Sequence, residues 1–514
     1  MTLEAPAGPA VPEVPESAEV LVMRHDGEEL SAAPGWSGPD LGAGATFVAC
    51  SRVSLLHGMP DGDVYRNGQN SWSPTGWTAL TSPPLRVADP VRRQTADDSR
   101  WDDVVRHHSS WMTAISSGGR ALLLGAIAGA TPRTHADPDV VAGWTETGEP
   151  GLWVVLQGSE QEVFDRYREL LRQRHGTRRS HPGTVWSSWY SLYETVSRAE
   201  LDSIVPRLPD LGFTTVQIDD GWERRVGDWS ANHKFAAGMR DAASSIKALG
   251  MRPGLWIAPF ITLPGTPVVE RYPQMLLRDD DGELVRAGSN WGSHYHTFDF
   301  TRPDAQDHLA ETIDRLVRGW GFEYLKLDFI NAGAVTGCRE HDVDREAAYR
   351  TAIEIVRRAA GEDTYLLGSG APVMASLGVL DAVRTGPDVA PMWDNYATDD
   401  MSDATARNAL RNAVERLWMR GLIGLDPDAV YFRRRRNLLS EEQMAWIRDA
   451  ATLSDFKAVS DPPGWIEAED LPALRAFLAD SPATVGLGRY RYRIGDREVD
   501  FNPALHGAAG AYPL

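Results

Sequence analysis

Short apolar runs broken by turn residues fill the first third of the chain: AEVLVMRH, ATFVACSRVSLL, ALLLGAIAGA and LWVVLQ, separated by Gly, Pro and Asp. Runs of this length and punctuation predict strands, and with no long amphipathic helix among them they predict a β-sandwich. The first helical period comes at SEQEVFDRYRELLRQRHG, where Val163, Phe164, Tyr167, Leu170 and Leu171 share one face, and the polar stretch TRRSHPG closes it. A β-sandwich domain with a linker helix is therefore expected over 18–176. The opening residues 1–17 show neither period and read as a flexible tail.

Beyond 176 the pattern changes to alternating buried strands and helices. The strand candidates are TVWSSWYS, TTVQIDD, RPGLWIAPF, FEYLKLDF, TYLLGSG, DAVRTG, GLIGLD and a last one near TLSDFKAVSD. Helices are expected between them: around SRAELDSIV, with Ser197 and Glu200 spaced as a capping box, at DHLAETIDRLVRGW and at DREAAYRTAIEIVRRAA. Eight parallel candidates in roughly 280 residues fit a closed (β/α)8 TIM barrel over 177–462 better than an open doubly wound sheet, and no GxGxxG or P-loop is present. The hairpin-like RYRIGDREVDF predicts a small β-rich domain over 463–514. The expected class is thus multidomain, α/β plus β.

Composition narrows the function classes. The 514 residues are 42% hydrophobic and 24% charged, with no apolar run near the ~20 residues that a membrane span needs, so no membrane contact is expected. The opening residues lack a basic start followed by an apolar stretch, and the cysteines are Cys50 and Cys338, far apart, which fits a reducing cytoplasm better than a disulfide framework. A net charge of −20 repels phosphate backbones, so no nucleic-acid partner is expected. The basic run Arg433 to Arg436 reads as a solvated or intersubunit patch, which leaves a homo-oligomer open.

In a barrel the active residues follow the apolar runs, at the C-terminal ends of the strands. Those positions hold Trp189 and Tyr190, Asp219 and Asp220, Trp256, Lys326 and Asp328, Ser369, Arg384 and Asp388, and Asp426 and Asp428. Aromatic faces stack on the C–H faces of a pyranose and carboxylates accept bonds from its hydroxyls, so this set suits a sugar. In YLKLDF, Lys326 and Asp328 alternate with Leu325, Leu327 and Phe329; the two polar residues point to one face and the lysine would hold Asp328 ionised, as a nucleophile requires. Two strands later, in VRTGPDVAP, Arg384 is placed to bond a hydroxyl and Asp388 to reach over a scissile bond. A barrel-filling ion pair at Lys326 and Asp328 and a plain Pro-Asp turn at Asp388 remain alternatives. The DD and DPD pairs raise a metal-dependent hydrolase, but HxH and HExxH spacings are missing, and neither metal nor cofactor is expected.

Four blocks in order, NGQNSWSPTGW, WSSWYSLY, QIDDGWERRVGDW with GLWIAPF, and YLKLDFINAG followed by RTGPDVAP, resemble glycoside hydrolase family 36, the bacterial α-galactosidases, over nearly the whole chain. The resemblance implies a retaining exo-α-galactosidase acting on terminal α-galactosides of oligosaccharides by double displacement. It makes Asp328 the nucleophile and Asp388 the acid/base, assigns Asp219 and Asp220 to the C4 and C6 hydroxyls, and gives Trp256, Lys326 and Arg384 to the sugar subsite. Trp72, in NSW, looks like the aromatic residue that such enzymes bring to the cleft. Two departures bear on the substrate: Ser369 stands where Cys is frequent, and LDPD where NDPD is frequent. An α-N-acetylgalactosaminidase or an α-galactosyl transglycosylase on this scaffold is the alternative; a sugar-binding protein without catalysis would be expected to lack one of the two carboxylates.

Overall fold

The computed structural model describes residues 21–23, 45–178, 180–398 and 400–506; the tail expected over 1–17 lies outside them. The chain forms two compact units. One takes its residues from Met1–Asn67, Gly76–Leu85 and Asp102–Gly176, the other from Gly68–Thr75, Arg86–Trp101 and Thr177–Leu514.

The first unit is a sandwich of a five-stranded and a six-stranded sheet. Strand alternation sends Trp153 into the space between them, fully buried, with its indole N–H donating to the Cys50 carbonyl at 3.0 Å. Gly143 on the facing sheet makes room, since a Cβ there would lie 2.6 Å from the Trp153 ring. The helix Glu160–His175 closes this unit with a capping box between Ser159 and Glu162, and Val163, Phe164, Tyr167, Leu170 and Leu171 are its buried face, as its 3.6-residue period predicts.

The second unit carries eight parallel strands: β1 (Thr184–Ser187), β2 (Thr215–Ile218), β3 (Arg252–Ile257), β4 (Tyr324–Leu327), β5 (Tyr365–Gly368), β6 (Ala382–Arg384), β7 (Gly424–Asp426) and β8 (Lys457–Val459). All eight fall within the apolar runs, and their spatial order is β7-β6-β5-β4-β3-β2-β1-β8. The sheet curls until its edges meet: Val430, beyond β7, pairs in parallel with Val459 of β8, and its N–H donates to the Ala458 carbonyl at 2.8 Å. The result is a TIM-like domain filled by its own side chains. Tyr324 of β4 stacks on Tyr365 of β5, ring centroids 5.2 Å apart, and Lys326 follows Tyr324 on the same strand face. Helices occupy the connections. At Ser197 the capping box is half made: its hydroxyl accepts the Glu200 N–H at 3.3 Å but donates to the Glu200 carboxylate.

Two expected boundaries are corrected. Gly68–Thr75 and Arg86–Trp101, read as part of the sandwich, belong to the barrel unit. Outside any sheet, the carbonyls of 68–75 need donors, and the barrel supplies them: Arg416 Nη2 bonds the carbonyls of Gly68 (3.0 Å) and Asn70 (2.8 Å) and the Thr75 hydroxyl (2.9 Å), while its Nη1 bonds the Thr385 carbonyl (2.8 Å). Asn412 adds bonds to the carbonyls of Ser71 and Ser73. Residues 463–506 likewise fall in the same compact unit as the barrel. Their three-stranded sheet, Thr484–Gly488, Arg491–Ile494 and Arg497–Asp500, is mostly exposed and leans on barrel helices through Arg497 to Asp449 and Tyr490 to Glu415. Among the described residues, no helix is long and apolar enough to cross a membrane.

Replacing Arg416 by Ala leaves several buried acceptors without this donor, so unfolding should become easier by about 3 kcal/mol or more. Urea denaturation of the Arg416→Ala protein checks this, and a midpoint equal to that of the parent would show that the loop holds without it.

Candidate active site

A cavity of about 450 Å³ opens at the C-terminal ends of the barrel strands. It brings together Trp72, Trp189, Asp219, Asp220, Trp256, Lys326, Asp328 and Asp388, eight of the thirteen residues singled out from sequence.

Asp328 lies one residue beyond β4, and its N–H still donates to the Ile257 carbonyl of β3 at 2.8 Å. Phe329 then takes a left-handed conformation, φ 53°, which turns its N–H back to Asp328 Oδ1 at 2.8 Å. The indole N–H of Trp256 donates to Oδ2 at 2.9 Å. One donor on each oxygen fixes the plane of the carboxyl group. The sequence reading is corrected at Lys326. Its ammonium bonds Asp219 Oδ2 at 2.9 Å, and it acts on Asp328 as a nearby charge, not as its ion-pair partner. Burial works against a charged Lys326, but Asp219 above all, with Asp328 and Asp388, holds its pKa above the ordinary lysine value.

Asp388 differs in kind. Its side chain is 42% accessible because it faces the cavity, yet protein encloses its other sides, and that enclosure first, then the charge of Asp428, raises its pKa against the pull of Arg384 and Lys326. One carboxyl therefore has an N–H donor on each oxygen and the other holds its proton to higher pH, an asymmetry suited to a pair of carboxyls with different tasks. Asp220 is pushed up to about 9 by burial and by the adjacent Glu223, while the Trp291 indole N–H, 2.9 Å from its Oδ2, opposes the shift.

Tyr190, Ser369 and Arg384, grouped with the sugar contacts from sequence, do not line the cavity. Ser369 is buried, its N–H donating to the Leu327 carbonyl at 2.7 Å. Arg384 lies behind Asp388, bonding Asp426 through Nε (2.9 Å) and both Asp428 (2.7 Å) and Asp388 (3.3 Å) through Nη1; Tyr190 donates its hydroxyl to Asp428. Polar residues at strand ends can serve another side chain as readily as a ligand, and sequence cannot separate the two.

The cavity also exposes residues that the sequence reading missed, chiefly Trp291, Tyr295, Phe329 and Arg92. Phe329 was expected to point away from the site with Leu325 and Leu327, but its left-handed backbone breaks the alternation and brings its ring 5.4 Å from Trp72 and 5.0 Å from Trp291. Trp291 sits with Gly292 at the tip of the hairpin Gly288–Asn290 and Ser293–Thr297, both at positive φ; Asn-Trp-Gly between polar runs was the available signal. Trp72 fits because Gly370, at φ 68°, has no side chain: a Cβ there would lie 2.1 Å from the Trp72 ring.

A family model described as Melibiase matches residues 134–358. The chain superposes on TtGalA, an α-galactosidase from Thermus thermophilus in complex with p-nitrophenyl α-D-galactopyranoside, at a TM-score of 0.84 and 38% identity, over 90% of this chain and 96% of that one. The chain belongs to glycoside hydrolase family 36, the melibiase family. By sequence this family 36 chain is 25% identical over 234 residues to α-galactosidase AgaA of Geobacillus stearothermophilus, 43% of this chain. It is also 25% identical over 199 residues to α-galactosidase 2 of Pediococcus pentosaceus, 37% of this chain. These matches span 30% and 25% of the two curated relatives. The fold likeness extends to the crystal structure of GH36 AgaA with raffinose, at 15% identity and a TM-score of 0.59, over 83% of this chain and 62% of that one.

In this family 36 chain, Gly370→Ala should push Trp72 out of place and lower kcat/KM on a nitrophenyl α-galactoside by about ten-fold or more, because small misplacements at a cleft are costly. Kinetics alongside a melting curve checks it; a stable protein with unchanged kcat/KM would show that the position of Trp72 does not matter.

Proposed function

We propose that this family 36 protein is a retaining exo-α-galactosidase that removes terminal α-galactose from oligosaccharides on a closed (β/α)8 barrel. The observation that carries the proposal is the pairing, in one cavity, of a carboxylate fixed by two N–H donors and a carboxyl with a raised pKa. In the first step an Asp328 oxygen attacks C1, the C1–O1 pair leaves with the aglycone oxygen, and that oxygen takes the proton of Asp388, leaving a β-galactosyl ester on Asp328. In the second, Asp388 takes a proton from water, the water oxygen attacks C1, and the ester bond breaks to release α-galactose and free Asp328. The product keeps its anomeric configuration.

Asp219 and Asp220, beside Lys326 and Trp291, are assigned to the C4 and C6 hydroxyls, and Trp72 and Trp256 to the faces of the ring. The TtGalA structure described in complex with stachyose, which this chain matches at 38% identity over 94% of its length, supports an oligosaccharide substrate. Ser369 lies outside the cavity lining, so the choice at C2 between hydroxyl and N-acetyl does not pass through direct contact with it; a free hydroxyl is the reading kept. Cys50 and Cys338 are both free, which supports a reducing compartment.

Azide distinguishes the two carboxylates. Asp328→Ala should yield the β-galactosyl azide by direct displacement, and Asp388→Ala the α-azide through the intact ester intermediate, each with hydrolysis reduced by orders of magnitude. Product NMR settles it, and the opposite anomers would exchange the roles.

An equatorial C4 hydroxyl would leave a buried carboxylate acceptor unpaired, at about 1–3 kcal/mol, so α-glucosides should react at least about ten-fold more slowly than α-galactosides. A panel of nitrophenyl glycosides measures this directly. Cleavage confined to β-glycosides would end the proposal, and a higher kcat/KM on the α-N-acetylgalactosaminide would change the sugar but not the mechanism.

A further inference from the structure

Asp428 stands two residues beyond β7 with φ 82°, a backbone region that residues other than glycine enter only where their surroundings insist on it. What insists here is a convergence of donors. Its Oδ2 accepts from Arg384 Nη1 (2.7 Å), from the Val389 N–H (2.9 Å) and from the Tyr190 hydroxyl; Oδ1 accepts the Ala429 N–H at 2.7 Å. Val389 directly follows Asp388, and its carbonyl in turn accepts from the Tyr431 hydroxyl. Both polar backbone groups next to Asp388 are thus tied down, one of them by Asp428.

The same carboxylate competes for Arg384. Nη1 lies 2.7 Å from Asp428 and 3.3 Å from Asp388, and Nε is taken by Asp426. A guanidinium left free to close on Asp388 would favour its anion, which cannot protonate a leaving group.

We propose that Asp428 is a positioning residue for Asp388: it draws Arg384 away and holds the Val389 amide, so that the carboxyl of Asp388 faces the cavity and keeps its proton until bond cleavage. The proposal rests on the acid/base reading of Asp388 given above. The charged surroundings agree with it. From β4, Lys326 and Asp328 act on Asp388 with opposite signs; from β6, Arg384 lowers its pKa; from the loop after β7, Asp428 raises it. Tyr190 and Tyr193, following β1, feel the charges of both Asp388 and Asp428, and Tyr431 that of Asp428; Arg433 faces the two tyrosines Tyr193 and Tyr431. The Tyr190 hydroxyl also accepts the Val389 N–H, at 3.1 Å, but within that set Asp428 alone bonds both Val389 and Arg384.

The test compares Asp428→Asn and Asp428→Gly with the parent enzyme. Glycine suits φ 82°, so the second variant should fold even if the first does not. The alkaline limb of kcat/KM should move to lower pH by about 1 or more in either variant, since Arg384 is then free to stabilise ionised Asp388. At a pH above the shifted limb, the loss on methyl α-galactoside should exceed that on dinitrophenyl α-galactoside by about ten-fold or more, because the second leaving group departs without a proton. Added formate should move the limb of the glycine variant back toward the parent value. An unshifted limb with equal losses on both substrates would overturn the role of Asp428. A parent enzyme with no α-galactosidase activity would instead remove the catalytic reading on which it rests.

Discussion

Charge neutralisation in a confined space governs the mouth of this barrel. Asp219, Asp220, Asp328, Asp388, Asp426 and Asp428 crowd around one cavity and its floor, and the buried cations that meet them are Lys326 and Arg384. A carboxylate removed from water without a partner costs several kcal/mol, so the cluster is tolerable only where each anion has donors or gives up its charge. Both solutions are in use. Asp219 has Lys326, Asp426 has Arg384, and Asp328 has two N–H groups, while burial drives Asp388, Asp220 and, against the pull of Lys326, Asp219 toward their protonated forms. The chemical inequality between Asp328 and Asp388 follows from this distribution of a few cations among many anions.

Four of the ten non-glycine residues with positive φ among the described residues lie in the same place. Tyr193, Trp291, Phe329 and Asp428 all have positive φ without being glycine, and each lies in or against the cavity or its supporting layer. At Phe329 the unusual backbone aims an N–H at Asp328; at Trp291 it aims an indole at Asp220. Such conformations are held by surrounding contacts and are found where geometry serves a ligand in preference to local comfort. The aromatic wall from Trp72 through Phe329 and Trp291 to Trp256 depends on them, with successive ring centroids 5.4, 5.0 and 6.3 Å apart.

Trp72 shows how far apart in sequence the parts of one site can lie. It reaches the cavity on Gly68–Thr75, a segment interposed between two strands of the sandwich but bonded to Arg416 and Asn412 of the barrel. The sheet register on either side continues without it, Arg66 pairing with Gly76. A loop of this kind leaves the sheet it interrupts intact and can therefore be spent on a site elsewhere.

Much of this was written locally. Eight apolar runs with polar residues at their ends were enough to place the barrel strands and the carboxylates at their C-terminal ends, because burial on both faces and the strand-to-loop transition are properties of a few neighbouring residues. The same holds for the buried face of Glu160–His175, since a 3.6-residue period is a local signal. What tertiary structure alone decided is the set of partners. Lys326 faces both Asp219, more than a hundred residues earlier, and Asp328, two residues on, and only the curl of the sheet makes the distant one its hydrogen-bond partner. Arg384, Tyr190 and Ser369 looked like sugar contacts because they end or follow strands, yet the first two serve Asp428 and the third is buried outside the cavity lining. The strand alternation that should have hidden Phe329 failed at one left-handed residue. Sequence determines which groups stand at the rim; which of them meet, and which of two carboxyls keeps its proton, is fixed by distances through space that no local pattern encodes.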